Sequence, residues 1–313
     1  MRAGSRIRTL RRHCFGIEQK NQYLSGVCSA ALPHVLSSQA NEYHMSKIAK
    51  ALEKAKLEHE HTPAEMLRAP LFHDNHAQRT AAHEPIVYTK TKVIPSVHRD
   101  LERFRILTAL DDPKLIDTYS LLRTKIMSKT KDQGKTTLMI TSATPNEGKT
   151  TTAINLSLSF ARHAQQTALL VDMDLRSPDI STYLGLERHA GLTDYLVKDT
   201  PLDSLLIHPE GMQDIVVLPA GQSNQGSTDL LGTPKMQSLV RELKTRYTDR
   251  YVIFDCPSLV DNPDALIFSS YVDAIILVVE ADRAPKEKIQ KAIEMLGDKE
   301  IVGLVMNKAA YTH

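Results

Sequence analysis

The sequence lacks tryptophan and is poor in other aromatic residues, since Phe, Trp and Tyr make up 5% of its 313 residues. Stacking of bases on aromatic side chains is therefore a weak basis for a function in nucleic-acid binding. An excess of one charge is also lacking, because the sequence contains 39 Lys and Arg residues and 37 Asp and Glu residues. The resulting net charge of +2 argues against nucleic acid or an anionic membrane surface as the main partner.

Cysteines and long apolar runs are scarce as well. The three cysteines, Cys14, Cys28 and Cys256, form no CxxC pair, which excludes a disulfide scaffold and a zinc ribbon and favours a reducing compartment. The longest apolar run covers residues 274–279, far short of the ~18 residues that a membrane span needs. We therefore expect a cytoplasmic protein that does not span a membrane directly.

The first 100 residues differ in composition from the rest. Residues 1–44 carry six basic and two acidic residues without the apolar core of a secretory signal. We interpret them as a disordered basic tail or as translated upstream sequence before a true start at Met45, with a targeting segment as the alternative. Residues 45–58 predict a short amphipathic helix, which either docks on a partner or lies on the surface as a marginal helix.

Residues 59–100 predict a flexible linker, because they contain four prolines and six histidines without any regular period. The histidines form no HExxH pattern, so solvated side chains are favoured over a metal site. From residue 101 the character changes. The pattern predicts a helix after Pro113, followed by strands at 137–142, 168–172, 215–219, 251–255, 274–279 and 301–306 and by helices at 150–163, 234–247, 264–270 and 284–296.

This alternation of strands and helices predicts an α/β domain over residues 101–313 with a mostly parallel, doubly wound sheet. Several of the strands are apolar along nearly their whole length, as expected when both faces of a sheet are covered. The ligands of such a sheet bind at the carboxyl ends of its strands.

The segment after the first of these strands fits a phosphate-binding loop. Residues 143–150 read ATPNEGKT, which is the pattern G-x-x-x-x-G-K-[ST] with Ala143 in place of the first glycine. Gly148 allows the backbone to approach phosphates, Lys149 neutralises their β and γ oxygens, and Thr150 offers a hydroxyl to Mg²⁺. A second GKT, at 134–136, precedes its strand instead of following it, so we interpret it as a chance match.

Three acidic residues follow two later strands. Asp172 and Asp174 end the strand at 168–172, and Asp255 ends the strand at 251–255. At the carboxyl edge of a parallel sheet these carboxylates face the phosphates, where they hold Mg²⁺ and accept a proton from an attacking hydroxyl. Arg176 balances the acids or contacts phosphate.

These elements, together with the DMDLRSP segment, resemble the bacterial tyrosine kinases of exopolysaccharide synthesis, which are P-loop relatives of the septum-site and plasmid-partition ATPases. The residues around Met45 resemble the start of the cytosolic, exosortase-associated branch. The resemblance implies ATP and Mg²⁺ as cofactors and Lys149, Asp172, Asp174 and Asp255 as catalytic residues. It implies Thr150, Asp174 and Asp255 as Mg²⁺ ligands, and as nucleotide-binding residues Asn146, Glu147, Gly148, Lys149, Thr150, Thr151, Arg176 and Asn307, the last of which reads adenine.

The implied function is an ATP-dependent protein-tyrosine (auto)kinase that regulates exopolysaccharide synthesis and chain length. Its implied partner is a membrane polysaccharide co-polymerase, through which the protein could associate with a membrane. The sequence also departs from the family. The subunit-contact pattern E-x-x-R-x-x-R keeps only Asp117 and Arg123, so a homo-oligomer stays open. The tyrosine cluster at the end of the family's chains is reduced to Tyr311.

Two other functions stay open. One is a MgATP-binding switch ATPase that regulates the co-polymerase without phosphorylating tyrosine, and the missing tyrosine cluster favours it. The absence of the extra loop lysine of the partition-type ATPases favours the kinase. The other is a scaffold with a dead nucleotide site, against which the intact Lys149, Thr150 and three acids argue.

Overall fold

The computed structural model of the protein describes residues 91–163, 167–212, 215–246, 250–260 and 262–309. Within them eight strands form one sheet, namely β1 (Lys92–Ile94), β2 (Thr137–Ser142), β3 (Thr167–Asp172), β4 (Ile207–Pro209), β5 (Ile215–Leu218), β6 (Arg250–Asp255), β7 (Ala274–Glu280) and β8 (Ile301–Asn307). The α-helices of these residues are α1 (His98–Arg103), α2 (Pro113–Thr130), α3 (Lys149–Ala161), α4 (Ile180–Tyr183), α5 (Leu192–Lys198), α6 (Leu202–Leu205), α7 (Ser227–Leu231), α8 (Pro234–Thr245), α9 (Pro263–Phe268) and α10 (Lys286–Leu296).

The sheet has the strand order β1-β4-β5-β3-β6-β2-β7-β8. The six strands from β5 to β8 in this order are parallel to one another. β4 runs antiparallel to β5, and β1 runs parallel to β4. The predicted α/β class with a mostly parallel sheet is therefore confirmed, with two short reversed strands at one border. The carboxyl ends of β3, β6 and β2 lie side by side near the centre.

The core consists of two layers of side chains, one on each face of the sheet. Alternate residues of β6 illustrate the division, because Ile253 joins one buried cluster while Val252 and Phe254 join the other. Helix α3 packs on the first face, with Ile154 and Leu156 fully buried. Burial on both faces explains why the central strands read as continuous apolar runs.

The six strands and four helices predicted from residue 137 onward are confirmed, with ends that differ by up to two residues. The helix predicted after Pro113 is α2, whose N-cap Asp112 accepts a hydrogen bond from the Leu115 amide at 3.1 Å. The sequence did not predict β1, β4 or the helices α1, α4, α5, α6 and α7. These segments of three to seven residues show neither a helical period nor the continuous apolar run of the central strands.

The predicted linker over residues 59–100 is wrong at its end. Residues 92–94 form β1, paired in parallel with residues 207–209 of β4, and α1 begins at His98. Val93 of β1 is exposed, so burial of its side chain does not hold the strand in place. Backbone pairing with β4 therefore decides the conformation of β1. The Val97 amide also donates to the Gly185 carbonyl at 3.1 Å. The predicted basic tail, the helix at 45–58 and residues 59–90 of the linker lie outside the described residues.

Membrane-spanning helices are absent from the part of the chain that the structure describes, where none of the helices combines the necessary length with sufficient apolarity.

A substitution at Gly185 tests how strongly residues 91–97 are attached to the core. Its φ is +61°, and an added Cβ would lie 2.6 Å from the Val97 nitrogen. We expect Gly185→Ala to lower the free energy of unfolding by about 2–4 kcal/mol in urea denaturation, from backbone strain and displaced chain together. Gly134→Ala is the matched control, because its φ of +63° brings the same strain with no neighbour within 4 Å. Equal losses in the two variants would contradict this attachment.

Candidate active site

The loop between β2 and α3 adopts a conformation that depends on its residue types. Gly148 is the N-cap of α3 with a φ of +92°, and an added Cβ would lie 1.9 Å from Nδ2 of Asn307. Asn146 also has a positive φ, of 65°. A side chain at position 148 would therefore meet both backbone strain and a steric clash, which leaves glycine as the residue that fits.

Hydrogen bonds from inside and outside the loop fix its shape. Within it, the carboxylate of Glu147 accepts from the amide of Thr144 at 3.1 Å and from the Thr144 hydroxyl. From the end of β8, Asn307 Nδ2 donates to the Glu147 carbonyl at 2.9 Å and Lys308 Nζ donates to the Asn146 carbonyl at 2.6 Å. Glu147 is 1% exposed. The side chains of Glu147 and Asn307, both predicted to bind nucleotide, thus hold the loop itself.

The three predicted acids do converge beside the loop. In the β3–β6 ladder Asp172 lies directly opposite Asp255, and Asp255 pairs with Ile140 of β2. Asp174 follows two residues after Asp172 and brings its Oδ2 to 3.7 Å from Nζ of Lys149. The alignment of parallel strands therefore brings residues from three distant parts of the sequence to one edge of the sheet.

Asp172 is almost completely buried, with 1% of its surface exposed. Its Oδ1 accepts from the amide of Asp174 at 3.1 Å and its Oδ2 from the amide of Ile180 at 3.2 Å. Burial raises the pKa of Asp172 well above its ordinary value, the charge of Asp255 raises it further, and the two amides offset part of this rise. Asp172 therefore ties the segment after β3 to the strand end.

Asp255 is buried to the same extent as Asp172 but has a different environment. Burial raises its pKa to about 6, although the charge of Lys149 and a hydrogen bond from Thr150 lower it. Among the described residues, its Oδ1 has no hydrogen-bond partner. A buried carboxylate oxygen without a donor is costly, and a bound cation would satisfy it.

Lys149, the first residue of α3, carries the positive charge at the centre of the acids. Burial lowers its pKa, but Asp255, Asp174 and Asp172 together outweigh burial and raise the pKa above its ordinary value. The ammonium is therefore charged at neutral pH. It lies where the amides of the first turn of α3 present partial positive charge, so the loop and the lysine together can bind an anion.

The donor set fits Mg²⁺ bound together with phosphates. Asp255 and Asp174 offer carboxylate oxygens, and Thr150, which is 3% exposed, offers a hydroxyl beside Asp255. In the described segments, three or more His, Cys, Asp or Glu residues do not come together as a metal cluster. Mg²⁺ does not require one, because it commonly takes one or two carboxylates and completes its shell with water and substrate phosphates.

Arg176 has contacts that the sequence did not predict. Its Nε donates to Ser227 at 2.9 Å and to Asp264 at 3.3 Å, and its Nη2 donates to Thr228 at 2.7 Å. Asp264 is 1% exposed and accepts from both hydroxyls as well. The guanidinium therefore ties the segment after β3 to α7 and α9. Asp264 was not among the residues that the sequence predicted to form the site.

The other predicted positions give mixed outcomes. Thr151 lies in the first turn of α3 with a half-buried side chain. Arg123, the remaining arginine of the subunit-contact pattern, donates from Nη1 to the Ser159 carbonyl at 2.6 Å, so it bonds within its own subunit. Asp117 is exposed on α2. Tyr311 lies outside the described residues.

Comparisons with known proteins identify relatives of this chain. A family model described as an AAA domain matches residues 137–298. Tyrosine-protein kinase YwqD of Bacillus subtilis (strain 168) is 33% identical over 207 residues, which cover 65% of this chain and 86% of that protein. Tyrosine-protein kinase CpsD of Streptococcus pneumoniae serotype 4 is 35% identical over 174 residues, 55% of this chain and 75% of that protein.

Among solved structures, the VpsO kinase domain aligns with a TM-score of 0.56 and 28% identity over 62% of this chain and 96% of that domain. The sequence match, the structural match and the loop with its three acids all agree with the resemblance noted from the motifs. The chain belongs to this AAA domain family, in the group of the bacterial tyrosine-protein kinases.

Proposed function

We propose that the protein is a protein-tyrosine kinase that transfers the γ-phosphoryl group of MgATP to tyrosine hydroxyls and thereby regulates exopolysaccharide synthesis. The observation that carries the proposal is the placement of the Lys149 ammonium at the start of α3, 3.7 Å from Asp174 and beside the buried Asp172 and Asp255. The relatives named above support tyrosine as the acceptor.

In this proposal the loop between β2 and α3 binds the triphosphate of ATP. The backbone amides of residues 146–151 donate to phosphate oxygens, and Lys149 neutralises charge on the β and γ groups. Hydrogen bonds from Asn307 and Lys308 to loop carbonyls fix the position of these amides before ATP binds. Catalysis then consists mainly of positioning and of stabilising charge on the transferred group.

The acids have separate tasks in this proposal. Asp174 and Asp255, with the hydroxyl of Thr150, hold Mg²⁺, which neutralises charge on the β- and γ-phosphate oxygens when it is bound. Asp174 also orients the Lys149 ammonium across their 3.7 Å contact. Asp172 shapes the segment after β3 through its two backbone amides.

Incubation of the full chain with γ-labelled ATP and Mg²⁺ tests the transfer. We expect label on tyrosine, identified by acid hydrolysis and by mapping the labelled peptides, including the one that contains Tyr311. Label released only as free phosphate would instead support the switch ATPase. A chain that neither transfers nor releases label would support the scaffold.

Lys149→Ala tests the loop, and Lys135→Ala is its matched control because both lysines stand in a Gly-Lys-Thr sequence. Lys135 precedes β2 and pairs with Glu300, away from the strand carboxyl ends. Loss of charge-assisted hydrogen bonds to phosphate should weaken MgATP binding about 10- to 100-fold in Lys149→Ala, measured by calorimetry. Lys135→Ala should bind as the unaltered chain does. Similar affinities for the two variants would refute the assignment of the loop.

Regulation of the polymer belongs to the same proposal, with a membrane polysaccharide co-polymerase as the partner. Cells that produce Lys149→Ala in place of the unaltered chain should make exopolysaccharide of a different length distribution, measured by gel filtration of the purified polymer. Cells with Lys135→Ala serve as the control. An unchanged distribution in the Lys149→Ala cells would separate the chemistry of the site from the control of chain length.

A further inference from the structure

Asp174 has to stay in place for the site to work as proposed, because it faces Lys149 and is a predicted Mg²⁺ ligand. Its Oδ2 lies 3.7 Å from Nζ of Lys149, and its Oδ1 accepts from the amide of Ser177 at 3.1 Å. Asp174 belongs to neither a strand nor a helix, because β3 ends at Asp172 and α4 begins at Ile180. Its position therefore depends on hydrogen bonds that hold the segment between these two elements.

The side chain of Arg176, two residues further on, attaches this segment to the helices beside it. Its Nε donates to the Ser227 hydroxyl at 2.9 Å, and its Nη2 donates to the Thr228 hydroxyl at 2.7 Å, both on α7. The same Nε also donates to the carboxylate of Asp264 on α9 at 3.3 Å. The edge of the guanidinium that carries Nε and Nη2 is thus occupied by protein groups.

The main chain of the segment is held by the loop that leads from β5 into α7. The Ser223 hydroxyl donates to the Arg176 carbonyl at 2.6 Å, and the Asn224 amide donates to the Leu175 carbonyl at 2.8 Å. The backbone and the side chain of Arg176 are therefore fastened to the same stretch of chain.

Asp264 sets the direction of the guanidinium. This carboxylate is 1% exposed and accepts from the Ser227 and Thr228 hydroxyls as well as from Arg176. A buried carboxylate is costly unless donors and a positive charge compensate it, so Arg176 is drawn to this position. Removal of Asp264 would leave the guanidinium without the charge that orients it.

We propose that Arg176 and Asp264 are positioning residues that fix Asp174 for Mg²⁺, so that Arg176 acts through the protein instead of binding phosphate. The inference rests on the proposed function, which assigns Mg²⁺ to Asp174. Without the guanidinium the segment after β3 loses its attachment to α7 and α9, and Mg²⁺ binds more weakly beside the nucleotide. The phosphate loop keeps its shape, since Asn307 and Lys308 hold it from the end of β8.

Binding of ADP to the full chain, measured by calorimetry in EDTA and over a series of Mg²⁺ concentrations, tests the assignment. We expect Arg176→Gln to raise the Mg²⁺ concentration at half-maximal effect about 10- to 100-fold, as loss of a group that orients a metal ligand does. The dissociation constant of metal-free ADP should not change. Arg241→Gln, which removes an exposed arginine of α8, is the matched control.

Arg176→Lys separates positioning from a phosphate contact. A lysine ammonium binds phosphate as a point charge, but it cannot reproduce the planar fork that reaches two hydroxyls and a carboxylate. We therefore expect Arg176→Lys to need nearly as much additional Mg²⁺ as Arg176→Gln in the same calorimetric series.

Asp264→Asn tests whether the effect passes through Arg176, because Asp264 lies on α9 and not on the segment after β3. It should shift the Mg²⁺ dependence in the same direction, and the double variant should lose no more than Arg176→Gln alone. Thr228→Val replaces a half-buried hydroxyl by a methyl group and gives a second, milder variant with a smaller shift. Additive losses in the double variant would overturn the role of Asp264.

The outcomes separate this inference from the function on which it rests. A loss of metal-free ADP affinity in Arg176→Gln would overturn it, because Arg176 would then serve the phosphates, and so would an unchanged Mg²⁺ dependence. The measurement requires no phosphoryl transfer, so a chain that shows the expected shifts but labels no tyrosine keeps the positioning role and loses the kinase function. If Mg²⁺ does not affect ADP binding to the unaltered chain, the metal assignment and this inference fail together.

Discussion

One lysine ammonium faces three carboxylates at the carboxyl edge of the sheet, and this unequal balance of charge governs the site. Two of the acids, Asp172 and Asp255, are opposite each other because the β3–β6 ladder pairs them directly. Burial raises the pKa of both acids, and repulsion from a neighbouring carboxylate raises it further, from Asp255 for Asp172 and from Asp174 for Asp255. Lys149 and the amides at the start of α3 offset part of this repulsion. In the proposed function a divalent cation would offset the remaining carboxylate charge, while Lys149 and the amides of the loop would bind the phosphates.

The loop depends on a second constraint, which comes from the last strand. Asn307 and Lys308 donate to successive carbonyls of the loop, and Gly148 leaves the space into which the Asn307 amide fits. The loop is therefore shaped by residues some 160 positions away in the sequence. This explains why a short motif becomes a binding site only within a complete sheet. The second Gly-Lys-Thr, at 134–136, lies before β2 instead of after it and lacks such a frame.

Much of this architecture could be predicted because the physical signals are local. Fully apolar strands revealed the buried centre of the sheet, and acids at the ends of two of them marked its functional edge. The contacts of Arg176 could not be predicted in the same way, because Ser227 and Asp264 lie 51 and 88 residues further along the chain. Nothing local indicates that the guanidinium pairs with them.

The border strands were missed for a related reason. β1 and β4 have three residues each, and their conformation is decided by pairing with neighbours. The prolines and histidines of residues 59–100, without any regular period, favoured an irregular segment. Similarly, the roles of Glu147 and Asn307 depend on hydrogen bonds that no spacing rule contains, although both residues lie where the motif placed them.

The order of the strands also has a mechanical consequence. β1 and β8 form opposite borders of the sheet, roughly 34 Å apart for seven spacings of about 4.8 Å. A force that pulls on the chain ahead of Lys92 therefore acts on the border strand that is far from the residues that hold the phosphate loop. The hydrogen bond from Val97 to Gly185 transmits this force to the segment just after α4, and the hydrogen bond from Ile180 transmits it to Asp172. A pull on the chain ahead of Lys92 would thus reach Asp172 before it reached Asn307 and Lys308, which hold the loop.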